Sequence, residues 1–248
     1  MNMIKNYNDF INNLLPAGFS MCVGNSDGIY ATVPWGWLDE PPYETPVRWA
    51  TGEPDTDPWE WRMRVLNERQ DIAYGKFFFK KSGFITKEWY PYFLAVRRRG
   101  ITFEEAYESG TISHVAKRVY DVICKNGTLP SHAIKQAAGF GKEEKPAFER
   151  GLVELQMKMF ITICGSQQKI SKKGDGHGLP ASLFCKTEDF FKPADVPEEL
   201  RLLVIPEDDV FEKAAGISVE EAIDKITVQV LKLNPQAEGK KILKFILG

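Results

Sequence analysis

What this chain has little of excludes several functions at once. Its four cysteines, Cys22, Cys124, Cys164 and Cys185, stand far apart with no Cys-x-x-Cys spacing. A disulfide framework and a zinc knuckle are therefore not expected, and no metal or cofactor is indicated. Three of the four lie in apolar runs and fit small core fillers. No uninterrupted apolar stretch approaches the ~18 residues of a membrane-spanning helix. The opening Met1-Asn2-Met3-Ile4-Lys5-Asn6 lacks the apolar centre of a secretion signal. The expectation is a soluble, cytoplasmic protein without a membrane partner. Internal repeats and low-complexity segments are absent, and tryptophan is absent after Trp89.

What is present suffices for a globular core: 248 residues, 43% of them hydrophobic. The formal net charge of −2 conceals an asymmetry. Residues 1–60 set Lys5 and Arg48 against nine acids, a net of −7. Residues 61–187 carry 22 bases and 12 acids, a net of +10, and residues 188–248 come to −5. A basic middle between acidic ends suits either contact with nucleic acid or acidic ends folding back on that middle. The pI near 6.0 leans toward the second.

The most patterned stretch runs from 112 to 187. Ile112, Val115, Val119, Val122 and Ile123 fall at helical spacing before the break at Asn126-Gly127. A short second helix starts at Ser131, and Gly139-Phe140-Gly141 turns the chain. A third helix starts near Pro146 and carries Phe148, Leu152, Leu155 and Met159 on one stripe. The β-branched Ile161-Thr162-Ile163 follows, then a polar, glycine-rich tip and the returning Ser182-Leu183-Phe184-Cys185. Three helices and a hairpin are the order of a winged helix-turn-helix. The third helix turns Arg150, Val153, Glu154 and Met157 away from its stripe, with Lys145 and Lys158 flanking. That set is too weakly basic to read base edges unaided. Lys169, Lys172 and Lys173 on the wing suit phosphates. Val153 and Met157, expected to be exposed, suit packing on another part of the protein or on a partner.

The first hundred residues hold all six tryptophans among acids and prolines. Loops and short strands are expected over about 30–56. Asp57-Pro58-Trp59-Glu60 opens a helix to about Asp71, with Trp59, Met63 and Leu66 on one side and Arg62 and Arg69 on another. Trp35, Trp37, Trp49, Asp55, Trp59, Trp61 and Arg62 are the candidate lining of a pocket for a flat, polar ligand, or else the bulky filling of a loop-rich core. A helix capped by Thr86 ends in Arg97-Arg98-Arg99-Gly100, either a phosphate clamp or a dipole-compensating helix end. From 188 the chain is mostly helical, with Ile223, Ile226, Val230 and Leu233 as one stripe and Ile242, Leu243, Phe245 and Ile246 in a last helix. The fold class expected is α+β: a Trp/Pro-rich mixed region over 1–110, a winged helix over 111–190 and a helical extension over 191–248.

Asp57-Pro58-Trp59-Glu60-Trp61-Arg62, Ile72-Ala73-Tyr74-Gly75-Lys76, Gly83-Phe84-Ile85-Thr86-Lys87-Glu88-Trp89-Tyr90-Pro91-Tyr92-Phe93 and Glu154-Leu155-Gln156-Met157 ahead of Ile161-Thr162-Ile163-Cys164-Gly165 resemble bacterial proteins described as AlkZ-related. These are distantly similar to the winged-helix DNA glycosylases of the AlkZ and YcaQ family. The resemblance implies tandem winged-helix architecture and a link to DNA or its repair. The glycosylase signature, Gln-x-Gln or Gln-x-Asp on a strand, has no match here; Gln167-Gln168-Lys169 and Gln156-Met157-Lys158 both depart from it. No catalytic residue is carried over. Two function classes follow. One is a nucleic-acid-binding protein that holds phosphates through Arg97, Arg98, Arg99, Lys145, Arg150, Lys158 and the wing lysines. The other is a small-molecule-binding protein or enzyme with its pocket in the tryptophan-rich region.

Overall fold

A computed structural model describes residues 3–22, 24–34, 45–168, 180–191 and 209–248. The chain is a mixture of helices and antiparallel strands, an α+β protein. It divides into two units, Met1–Gly100 with Phe191–Gly248, and Ile101–Phe190. The stretch from Phe191 thus shares a unit with the first hundred residues. The second unit begins at Ile101, ahead of the boundary the sequence suggests.

The first unit opens with α1 (Tyr7–Ala17), capped by the Asn6 side chain and closed by Gly18 at φ 84°, a left-handed position that glycine adopts without steric cost. Strand β1 (Phe19–Met21) follows directly. Helix α2 (Pro58–Glu68) starts where proline suits the first turn, with Asp57 accepting the Trp59 N–H at 2.8 Å. Fully buried Asp57 also accepts the Gly52 N–H, so one carboxylate ends the loop and begins the helix. Strands β2 (Ile72–Phe78) and β3 (Lys81–Thr86) form a hairpin, and β1 pairs antiparallel with β3. Helix α3 (Tyr90–Arg98) follows. Thr86 is therefore the end of a strand, paired with Ile72, and not a helix cap. The ladder to β2 and β1 outweighs the local capping pattern.

The C-terminal helices of this unit are α9 (Val210–Ala215), α10 (Val219–Leu233) and α11 (Gly239–Leu247), and all three pack on α3. Their side chains complete the unit's core. Phe245 stacks on Phe78 at 4.1 Å and meets Phe19 and Phe93 at 5.4 and 5.7 Å. Gln229 donates to the carbonyls of Pro16 and Ala17, and Asn234 to that of Gly28. Removing such donors would orphan buried carbonyls, so these contacts fix register as well as adding stability.

The second unit contains α4 (Phe103–Glu108), α5 (His114–Asn126), β4 (Leu129–Pro130), α6 (Ser131–Ala137), α7 (Lys145–Met157), β5 (Ile161–Gln167), β6 (Ala181–Lys186) and α8 (Thr187–Phe190). Phe103 of α4 stacks on Tyr120 at 3.7 Å and meets Phe160 edge-on, which ties α4 to this core. Strand β6 pairs antiparallel with both β4 and β5, with an irregularity between Ile163 and Gly165.

The two units share a topology that no sequence repeat announces. In each, a helix leads into a short strand, further helix leads into a hairpin, and the short strand pairs with the hairpin's second strand. In the first unit residues 22–57 separate the short strand from the next helix, where α6 stands in the second. That interruption hides the period.

Candidate nucleic-acid interface and aromatic pocket

In the second unit α7 is held from one side. Gly151 lies against α5 so closely that a Cβ there would stand 3.0 Å from Val115 Cγ1 and 3.4 Å from the Ala116 backbone. One turn on, Glu154 accepts both the N–H and the hydroxyl of Ser113, the residue that caps α5. Val153, Glu154 and Met157, expected on an open face, are half-buried. The open side of α7 carries Lys145, Glu149 and Arg150, with Lys145 and Glu149 paired at 3.7 Å. Lys158, just beyond the helix, is half-buried. Before α7, Glu144 accepts the Gly141 N–H and pairs with Arg118, which lowers its carboxyl from the ordinary range. Arg118 lies over the Phe140 ring at 3.9 Å. The exposed set alternates in sign, which suits phosphate contact at single points more than a continuous basic groove. Lys169, Lys172 and Lys173, expected on a wing, lie outside the described residues.

The three arginines at the end of α3 do not act as one group. Arg97 donates from Nε to Ile246 O at 2.9 Å, from Nη1 to Phe77 O at 2.7 Å and from Nη2 to Phe245 O at 2.8 Å. It binds α3, β2 and the last turn of α11 together. Burial pulls its pKa down to about 9, and the three carbonyl acceptors keep the cation favourable at neutral pH. A phosphate clamp needs that guanidinium free, whereas here it is engaged by three backbone carbonyls. Arg98 lies 5.5 Å over the Phe211 ring, and exposed Arg99 takes the left-handed C-cap position.

The tryptophan region separates in the same way. Trp61 is 1% exposed and Trp59 38% exposed, because consecutive odd positions on a helix point about 200° apart. The sequence groups Trp59 with Met63 and Leu66 on one side; the structure buries Leu66 with Trp61 and Val65 and leaves Trp59 at the surface. Trp49 and Trp61 line a narrow pocket with Phe10, Ser20, Met21 and Phe84, and it admits about one water molecule. The Trp61 Nε1–H is buried there without an acceptor among the described residues. Outside the pocket, the Arg62 guanidinium stacks 3.4 Å over Trp59 and donates from Nε to the Trp59 carbonyl at 2.7 Å, while burial pushes the pKa of Tyr74 up to about 12. Asp55 pairs with Arg64 at the surface and does not line the pocket. Trp35 and Trp37 lie outside the described residues.

Among the described residues no three of His, Cys, Asp and Glu converge as metal ligands would, and no helix is long and apolar enough to cross a membrane. Cys164 sits at the irregularity of β5, its thiol 3.7 Å from the Leu183 carbonyl and 3.9 Å from the Thr128 hydroxyl. Cys185 is buried and its thiol pushed up, while that of Cys164 is lowered.

Two units of one α+β topology, with a half-locked helix in the second and an aromatic pocket in the first, define the class of this protein. Residues 4–247 match the family described as AlkZ related, and the chain belongs to that family. No curated protein and no solved structure matches it.

Proposed function

We propose that this chain is a nucleic-acid-binding protein with a link to DNA repair, in which the second unit is a winged helix that contacts phosphates through α7. The observation that carries the reading is the asymmetry of α7. Gly151 and Glu154 commit one side to α5, and Lys145 and Arg150 stand on the side left open. Helix, short strand, two helices and a hairpin are the order of a winged helix-turn-helix, whose third helix meets the nucleic acid. Family membership supports the same reading. Two cations beside Glu149 supply attraction to the backbone and little base discrimination, so binding is expected to be sequence-tolerant. Without a Gln-x-Gln or Gln-x-Asp triplet no glycosylase step is assigned to any residue.

The test is fluorescence anisotropy of labelled single-stranded and duplex DNA, with and without an abasic or alkylated site, at two salt concentrations. Each phosphate contact steepens the salt dependence by about 0.9, so three contacts weaken binding roughly 40-fold for a fourfold rise in salt. Lys145→Gln with Arg150→Gln should lower the slope by about two. No binding at low salt defeats the reading.

A second reading rests on the acceptorless N–H of Trp61, which is suited to a small planar ligand bearing a hydrogen-bond acceptor. The pocket would have to widen to admit one. Quenching of tryptophan fluorescence by a nucleobase, lost in Trp61→Phe, supports it; unchanged emission removes it.

A further inference from the structure

Two short segments far apart in the chain carry lysine and no acid. Residues 72–87 hold Lys76, Lys80, Lys81 and Lys87, and α11 holds Lys240, Lys241 and Lys244. The first unit brings the tip of the β2–β3 hairpin and α11 to one corner. Phe245 stacks on Phe78 and lies 6.2 Å from Phe79, and Lys244 Nζ stands 5.9 Å from the Phe79 ring. Arg97 fixes the last turn of α11 to the β2 carbonyl of Phe77. On the other flank the Asp27-Gly28 turn joins the same two elements. Asp27 pairs with Lys81 at 2.7 Å, and Lys241 Nζ lies 3.2 Å from where a Cβ on Gly28 would be. Lys81 is paired with Asp27, and Lys241 with Glu238 at 3.0 Å. Exposed Lys80, Lys240 and Lys244 have no carboxylate within ion-pair distance among the described residues.

The hairpin tip adds an independent observation. Phe79 and Lys80 form a two-residue turn with φ of 51° and 63°, a left-handed pair that favours asparagine and glycine. A bulky residue there is a backbone outlier. Phe79 gains its contact with Phe245 in return. Lys80 is exposed and makes no hydrogen bond or ion pair among the described residues, so a strained position holds a cation with no structural use.

We propose that Lys80, Lys240 and Lys244, with the paired Lys81 and Lys241 behind them, form a binding site in the first unit for the phosphodiester backbone of a nucleic-acid duplex. This rests on the nucleic-acid reading and adds to it a second contact surface, remote in sequence from α7. Lysine ammoniums on a tight hairpin and a short helix act as point charges, which hold phosphates without reading bases. A lipid surface is the weaker fit. The helix has nine residues and already buries Ile242, Phe245 and Ile246, leaving Leu243 and Leu247 as its exposed apolar side chains.

The experiment compares full-length wild type, the triple variant Lys80→Gly/Lys240→Gln/Lys244→Gln and the pair Lys145→Gln/Arg150→Gln by anisotropy on a labelled duplex over a salt series. The triple variant should bind about 10-fold or more weakly at low salt, with the salt slope reduced by about two to three. Lys80→Gly alone should raise the Tm by about 2 °C, since glycine relieves the turn, while weakening binding. A purely structural Lys80 would not move the two readouts in opposite directions. Wild-type affinity and slope in the triple variant, with the Lys145/Arg150 pair impaired, overturn this site and leave the nucleic-acid reading standing. Absence of wild-type binding overturns both. Binding to phosphatidylserine vesicles in place of duplex overturns this site in favour of a membrane surface.

Discussion

Glu154 closes the start of a helix to which it does not belong: its two carboxylate oxygens accept the N–H and the hydroxyl of Ser113 at 2.7 and 2.6 Å. Ser113 in turn accepts the Ala116 N–H at 3.2 Å, so the first turn of α5 is capped twice. Glu154→Ala leaves the Ser113 N–H to water and loosens the α5–α7 contact. The expected loss is about 1–2 kcal/mol, read by urea denaturation. Glu154→Gln should retain part of it, because the amide oxygen still accepts one of the two bonds.

Arg97 should behave as a keystone of the first unit and not as a ligand for phosphate. Arg97→Met removes donors from three carbonyls on two elements. A loss of about 3 kcal/mol is expected in urea denaturation. Arg97→Lys should recover less than half of it, since one ammonium cannot span the three acceptors that the planar fork reaches. At a temperature where the variant remains folded, its DNA affinity should equal that of wild type.

Tyr7 and Tyr74 both have phenol pKa values pushed up to about 12, burial being the first cause in each. An acid whose folded pKa lies above its unfolded value of about 10 stabilises the fold fully below pH 10. That contribution is lost as pH rises through 12. Stability should therefore fall between about pH 10 and pH 12, with delayed phenolate absorbance from these two residues. The Tyr7 hydroxyl is buried without a partner among the described residues. Tyr7→Phe should thus raise stability at neutral pH by up to about 1 kcal/mol and remove one of the delayed phenolates.

Local signals in the sequence were sufficient wherever the structure is decided locally. Asp57-Pro58 marks the start of α2, and Pro146 with the Phe148, Leu152, Leu155 stripe marks α7. They failed where partners distant in the chain decide. Thr86 carries a capping pattern but belongs to a ladder with Ile72, some fourteen residues earlier. Arg97, Arg98 and Arg99 are indistinguishable as a run, and only the arrival of α11, about 150 residues later, separates the structural Arg97 from half-buried Arg98 and exposed Arg99. The burial of Trp61 over Trp59 was half-legible: helical geometry says that the two must diverge, and the side taken depends on Tyr7 and Phe10, whose rings meet Trp61 at 6.4 and 5.1 Å. The shared topology of the two units leaves no repeat in the sequence, because residues 22–57 interrupt the period; only the resemblance to AlkZ-related proteins pointed to a tandem arrangement. The lysines of α11 gave no signal by themselves, since their neighbours come from the β2–β3 hairpin.

The most direct test of nucleic-acid binding is to follow the backbone amides of isotope-labelled full-length protein by NMR while a short duplex is added at low salt. Shifts clustered over Lys145–Arg150 and at Phe79–Lys81 and Gly239–Lys244, reversed by added salt, are the predicted result. Unmoved amides at all three segments, or shifts confined to the surroundings of Trp49 and Trp61, would contradict the account.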